Sequence, residues 1–102
     1  MENLKLTFSE KIMSTPTPHI IIYSSQYCPF CFRAKSILQQ KSVSFEDINV
    51  DMDSALKQEM MEKSGRRTVP QIWIGETHVG GCDELMALQR SGELDKMLGL
   101  SK

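Results

Sequence analysis

Ile20-Ile21-Ile22-Tyr23, then Cys28-Pro29-Phe30-Cys31, then Phe32 to Gln40: this stretch decides the fold. The opening run is apolar and mostly β-branched, the pattern of a buried strand. The closing run places Ala34, Ile37 and Leu38 at helical spacing. Pro29 stands near the first turn, where a missing N–H costs nothing. A strand that runs into C-x-x-C at the start of a helix is the sequence form of a redox dithiol. Unpaired N–H groups and the positive end of the helix dipole face whatever occupies that turn. A sulfur there is easier to ionise, and the thiolate is the nucleophile.

Working outward, the chain alternates between strand and helix signals. Val43 to Asn49 predicts a second strand. Asp53 or Ser54 can cap a helix running to about Ser64, with Leu56, Met60 and Met61 inward and Gly65 as its stop. Gln71-Ile72-Trp73-Ile74 predicts a third strand, Gly75-Glu76 a tight turn, and Thr77-His78-Val79 a fourth strand pairing back. Gly80-Gly81 breaks the pattern, Asp83 to Arg90 predicts a helix, and Glu93 to Leu98 a short final turn of helix. The order β-α-β-α-β-β-α predicts an α/β fold. Its first βαβ unit should be parallel and right-handed, and its last two strands a hairpin.

The 102 residues suffice for one small domain with one core. Apolar residues make up 40% and charged residues 25%, ordinary values for a globular chain. A net charge of −1 gives no electrostatic case for nucleic acid or membrane surfaces as partners. No apolar run approaches the roughly 18–20 residues that span a bilayer. Three cysteines are too few, and odd in number, for a secreted disulfide scaffold. With no secretory signal pattern, the expected compartment is reducing and cytoplasmic. Residues 1–18 read as an N-terminal extension ending in the spacer Thr15-Pro16-Thr17-Pro18, its first 12 residues accessory or loosely ordered; a start at Met13 would remove those 12. A mitochondrial-type presequence fits poorly, since Glu2 and Glu10 are acidic and arginine is absent there. The domain proper is expected over residues 19–102.

Within the C-x-x-C, Cys28 at the helix cap is placed to attack. Cys31, one turn inside on nearly the same face, is placed to resolve. The competing reading is half of a zinc site, but only Cys82, His19 and His78 remain as further ligands and none form a second pair at ligand spacing. No metal is expected. Thr68-Val69-Pro70 precedes a strand, where a cis X-Pro bond fits a turn and would leave the Val69 N–H and C=O open to an extended peptide. Gly80-Gly81-Cys82-Asp83 lets backbone approach a ligand at a helix start. There Asp83 is expected to cap the helix and meet a ligand ammonium, and Cys82 to pack or touch the ligand peripherally. Arg66-Arg67 supply positive charge beside the peptide edge, suited to a carboxylate. Trp73 and the methionines Met60, Met61, Met86 and Met97 read as core or helix-face residues. His78 reads as a surface strand residue.

Cys28-Pro29-Phe30-Cys31, Thr68-Val69-Pro70 and Gly80-Gly81-Cys82-Asp83, in this order and spacing, resemble the glutaredoxin family of the dithiol class over roughly residues 19–100. The resemblance implies a thioredoxin-like fold, a four-stranded mixed sheet flanked by three or more helices. It also implies glutathione-dependent thiol–disulfide oxidoreductase activity on protein disulfides and protein–glutathione mixed disulfides. Cys28 then matches the nucleophile and Cys31 the resolving thiol, the two forming the redox-active disulfide. Thr68, Val69 and cis Pro70 match the backbone contacts to the glutathione cysteinyl part. Gly81, Cys82 and Asp83 match the segment holding the γ-glutamyl end. Arg67 falls where a glycine-carboxylate contact is often placed, with Arg66 as the other choice. Phe30, in the same binding set, replaces the commoner Tyr and lacks its hydroxyl. Ser25 replaces a common Lys or Arg, leaving the positive field to Arg66 and Arg67. Glutathione is the implied co-substrate. The implied partners are glutathionylated or disulfide-containing proteins and, indirectly, a glutathione reductase system, with the chain acting as a monomer. Two other classes remain in view: a thioredoxin-like reductase fed by a flavoprotein, and an iron–sulfur carrier in which Cys28 and glutathione ligate a cluster between two subunits.

Overall fold

A computed structural model of the chain describes residues 18–100. The expected N-terminal extension therefore lies, apart from Pro18, outside the described residues. From Ile20 the elements run β1 (Ile20–Ser24), α1 (Pro29–Gln40), β2 (Glu46–Asn49), α2 (Ser54–Ser64), β3 (Gln71–Ile74), β4 (Thr77–Gly80), α3 (Cys82–Ser91) and α4 (Glu93–Met97).

The apolar run of β1 has its explanation in sheet position. The strand order is β2-β1-β3-β4, so β1 is flanked on both sides, parallel to β2 and antiparallel to β3. Helices cover both faces, so both sets of alternating side chains are apolar. Ile20 and Ile22, with Ile72 and Ile74 of β3, pack on one face against Ala34, Ile37 and Leu38 of α1, Leu85 of α3 and Leu94 of α4. Tyr23 and Ile21 turn to the other face with Trp73, where Met60, Leu56 and Met61 of α2 meet them. The inward set foreseen for α2 is the observed one. Of the two candidate caps, Asp53 serves: its Oδ1 accepts from the N–H groups of Ala55 and Leu56 at 3.0 and 3.1 Å. Gly65 ends α2 in the left-handed conformation, φ +74°. The sheet is mixed, with a parallel βαβ start and a closing antiparallel hairpin, the thioredoxin-like arrangement implied above.

Some boundaries differ from expectation. The second strand begins at Glu46 rather than Val43. Ser42 takes φ +59°, and its N–H and that of Val43 still bond back to Gln39 and Leu38 carbonyls, so the exit from α1 consumes this segment. Val43 and Phe45 pack against the core from a loop. The fourth strand extends to Gly80, which pairs with Ile72 across a bulge. The helix that follows begins at Cys82, not Asp83, because Gly81 is its N-cap. Asp83 is therefore an exposed first-turn residue and does not cap. His78 is half-buried rather than a plain surface residue: its ring lies over Trp73 with centroids 4.6 Å apart.

Candidate active site

β1 ends at Ser24, and the loop to α1 is pinned from the side. The Asp51 carboxylate accepts from Ser25 Oγ–H at 2.6 Å and from the Gln26 N–H at 2.8 Å. The chain then reaches Cys28 in extended conformation, φ −112° and ψ 109°, as the N-cap of α1, with Pro29 following. Ordinarily Ser, Thr, Asp or Asn would cap here, an oxygen accepting from the first-turn N–H groups. A sulfur does so instead: Cys28 Sγ accepts from the Cys31 N–H at 3.1 Å. No acidic side chain stands in the first turn of α1. The Cys28 thiol also points across to the Val69 carbonyl, 3.8 Å away.

The three cysteines are free thiols in different surroundings. Cys28 is half-buried and reaches the surface. Cys31 is fully buried, 0% exposed. Burial first, and its link to Cys28 second, push the Cys31 thiol up to about 12, while the Ser25 backbone opposes the shift. Cys82 is buried beside Met86, sulfur to sulfur 3.8 Å. Burial pushes its thiol up as well, with Arg33 opposing. One sulfur is thus accessible, and the other two are held as neutral thiols by desolvation.

Beside Cys28 runs a groove of ≈ 220 Å³. Phe30 stands at one end, exposed at 58%. Thr68, Val69 and Pro70 form one wall, and the Val69–Pro70 bond is cis, as expected. Gly81, Cys82 and Asp83 form the other. The two walls approach closely at Gly81, where a Cβ would sit 3.3 Å from the Pro70 carbonyl oxygen. Gly80, at φ +115°, would press a Cβ to 2.9 Å from Glu84 Oε1. Both glycines are therefore needed, one for close approach and one for backbone conformation.

Seven of the eight residues expected around the ligand line this one groove; Arg67 does not. Arg66 lines it instead, while Arg67 lines a separate hollow with Ser54, Lys57 and Met61. Adjacent residues on an extended segment point opposite ways, and sequence alone leaves open which of the pair faces in. Glu84 was not anticipated. Its Oε1 accepts from the Gly81 N–H at 2.8 Å and its Oε2 lies 3.4 Å from Arg66. The Gly81 N–H, then Arg66, holds this carboxyl below the usual range. An acidic residue three positions after a cap is a known helix-start signal, and Gly81-x-x-Glu84 carries it. Also unforeseen is the polar set behind the wall, in which buried Gln71 joins Thr68 to His78. No group of three or more metal-ligating side chains exists among the described residues.

Comparison with known proteins gives the family. The Glutaredoxin family model matches residues 20–79, which hold the C-x-x-C, the Val69–Pro70 turn and the closing hairpin up to Val79. A glutaredoxin of Pseudomonas aeruginosa is 54% identical over 81 residues, covering 79% of this chain and 96% of its own. Glutaredoxin 3 of Escherichia coli is 48% identical over 80 residues, covering 78% and 96%. Among solved structures, a Brucella melitensis glutaredoxin superposes with a TM-score of 0.75 at 45% identity, covering 86% of this chain and 96% of its own. A buckwheat glutaredoxin–glutathione complex gives a TM-score of 0.75 at 30% identity, with 94% and 90% covered. A sulfur-capped helix, a cis-proline wall and a diglycine edge meet around one groove, and with this agreement in sequence and structure the chain belongs to the glutaredoxin family.

Proposed function

We propose that this thiol–disulfide oxidoreductase is glutathione-dependent, with Cys28 as nucleophile and Cys31 as resolving thiol. The carrying observation is the position of Cys28 Sγ: it takes the Cys31 N–H at the helix mouth and faces the Val69 carbonyl at the groove edge. A helix N-terminus favours the thiolate over the thiol. The groove beside it offers what a small peptide needs: backbone groups of Thr68 and Val69, the opening turn of α3, and the Arg66 cation. Glutathione carries two carboxylates and an ammonium. Arg66 suits a carboxylate, and Asp83 in the opening turn of α3 suits the ammonium of the γ-glutamyl end. Arg67, facing the Lys57 side, is the more distant cation. The solved glutathione complex of a related glutaredoxin supports the choice of ligand.

In the cycle, the Cys28 thiolate attacks the glutathione sulfur of a glutathionylated protein. A Cys28–glutathione disulfide forms, and the protein thiolate leaves and takes a proton. A second glutathione thiolate attacks the glutathione sulfur of that disulfide, releasing oxidised glutathione and regenerating Cys28. On a protein disulfide, the Cys28 thiolate attacks one sulfur and forms a mixed disulfide with it, while the S–S bond breaks and the other protein sulfur leaves as a thiolate and takes a proton. Cys31 then attacks Cys28, its proton passing to the departing thiolate, and closes the internal disulfide. One glutathione then attacks Cys28, releasing Cys31 as a thiol, and a second attacks the glutathione sulfur of the resulting mixed disulfide, releasing oxidised glutathione and restoring the dithiol. A leaving thiolate stabilised at the helix mouth speeds both releases.

Among the described residues no helix is long and apolar enough to cross a membrane. We place the protein in the reducing cytoplasm, acting as a monomer on glutathionylated and disulfide-containing proteins, with glutathione reductase restoring its co-substrate. The test is turnover of a glutathionylated peptide with glutathione and glutathione reductase. Turnover that needs glutathione is expected. Reduction sustained only by a thioredoxin reductase would overturn the proposal.

A further inference from the structure

Gln71 opens β3 directly behind the groove wall and is fully buried, 0% exposed. A buried amide needs partners for both its ends. Its Nε2 donates to the Thr68 carbonyl at 3.0 Å and lies 3.3 Å from Thr68 Oγ1. Its Oε1 lies 2.7 Å from His78 Nε2. Turned over, the amide would set oxygen against the Thr68 carbonyl, acceptor on acceptor. The orientation is therefore fixed, and His78 Nε2 must carry the hydrogen that Oε1 accepts. The imidazole cannot swing away freely. It lies over Trp73 at 31° between planes, and Trp73 meets Tyr23 edge-on at 5.4 Å. A chain of rigid contacts thus runs from the sheet, through His78 and Gln71, to Thr68. Thr68 and Val69 are the wall opposite Gly81.

We propose that Gln71 is a positioning residue for the groove, holding Thr68 from behind while His78 fixes its amide, and so sets the grip on the glutathione part of a substrate. The inference rests on the glutathione reading above. Neither side chain lines the groove, so their effect is on binding and not on the sulfur chemistry at Cys28.

Steady-state kinetics of the full chain on a glutathionylated peptide test this. Gln71→Leu keeps the volume and removes every bond to Thr68 and His78. KM should rise about tenfold while kcat stays within about twofold, the size expected when one well-placed contact is lost. His78→Leu should raise KM about threefold, and His78→Gln, whose amide can still donate to Gln71, should restore it to within about twofold of wild type. Near-UV circular dichroism checks that each variant keeps its packing. If Gln71→Leu does not fold, the His78 pair decides: a KM difference between Leu and Gln supports the proposal, and equal KM values overturn it. An unchanged KM in folded Gln71→Leu, or a fall in kcat alone, also overturns it while leaving the glutathione reading intact. Wild-type protein inert towards glutathione would overturn both.

Discussion

The first turns of α1 and α3 both open onto the groove, yet they satisfy their unpaired N–H groups in opposite ways. At α3, the protein supplies its own anion. Glu84 reaches back to the Gly81 N–H, Asp83 adds a second carboxylate, and Arg66 balances Glu84. At α1, no acidic side chain stands in the first turn, and the cap is the Cys28 sulfur. A helix start already served by carboxylates gains little from a further anion; one without them favours whatever negative charge can form there. The two ends thus divide the work. The α3 end is finished structure that shapes one wall, and the α1 end is held open for chemistry.

Removing the sulfur at the α1 cap has the largest expected effect. Cys28→Ser keeps an N-cap but should abolish turnover of a glutathionylated peptide, a loss of at least about a thousandfold, while Cys31→Ser retains activity within about tenfold. Equal losses in the two variants would contradict the assigned roles. A subtler change makes α1 resemble α3. Phe30→Glu places a carboxylate in the first turn beside Cys28, at an exposed position that should not disturb the fold. Alkylation by iodoacetamide at neutral pH should slow by about threefold to tenfold relative to Phe30→Gln, because a like charge disfavours the thiolate.

The converse change tests α3. Glu84→Ala removes the partner of the Gly81 N–H and should cost about 1 kcal/mol, read as a Tm lower by about 4–8 °C, with the alkylation rate at Cys28 unchanged. The sign of its pH dependence follows from the lowered Glu84 carboxyl. A depressed folded-state value means that the stabilisation is present above the unfolded carboxyl range and lost as pH falls through the folded one. The gap in Tm between wild type and Glu84→Ala should therefore be full at pH 7 and close in acid. The smallest expected effect separates the paired arginines. Arg66→Ala should raise KM for the glutathionylated peptide about threefold, and Arg67→Ala by less than about twofold, since only Arg66 lines the groove. The reverse order would move the carboxylate contact to the Lys57 side.

Much of this architecture was readable from local pattern. The β-branched run into C-x-x-C fixed strand, cap and helix together, because hydrophobic period and a tolerated proline agree there. Likewise Asp53 and Gly65 mark the two ends of α2 by short-range bonds that sequence spacing states directly. What was not readable depends on partners far along the chain. Val43 and Phe45 have strand-forming side chains, but the exit of α1 through Ser42 uses their backbone differently. His78 looks like a surface residue until Trp73 and Gln71 are placed beside it. Choosing between Arg66 and Arg67 required knowing where Glu84 lies. Asp51, which pins the loop before the C-x-x-C, is separated from Ser25 by a whole helix and strand.

Of the three free thiols, we propose the one capping α1 as the attacking sulfur. Brief exposure of the reduced full chain to limiting iodoacetamide at pH 7, followed by peptide mass mapping, tests it most directly. A single early adduct on Cys28 is expected, with Cys31 and Cys82 unmodified. Early labelling of Cys31 or Cys82, or equal labelling of all three, would contradict it.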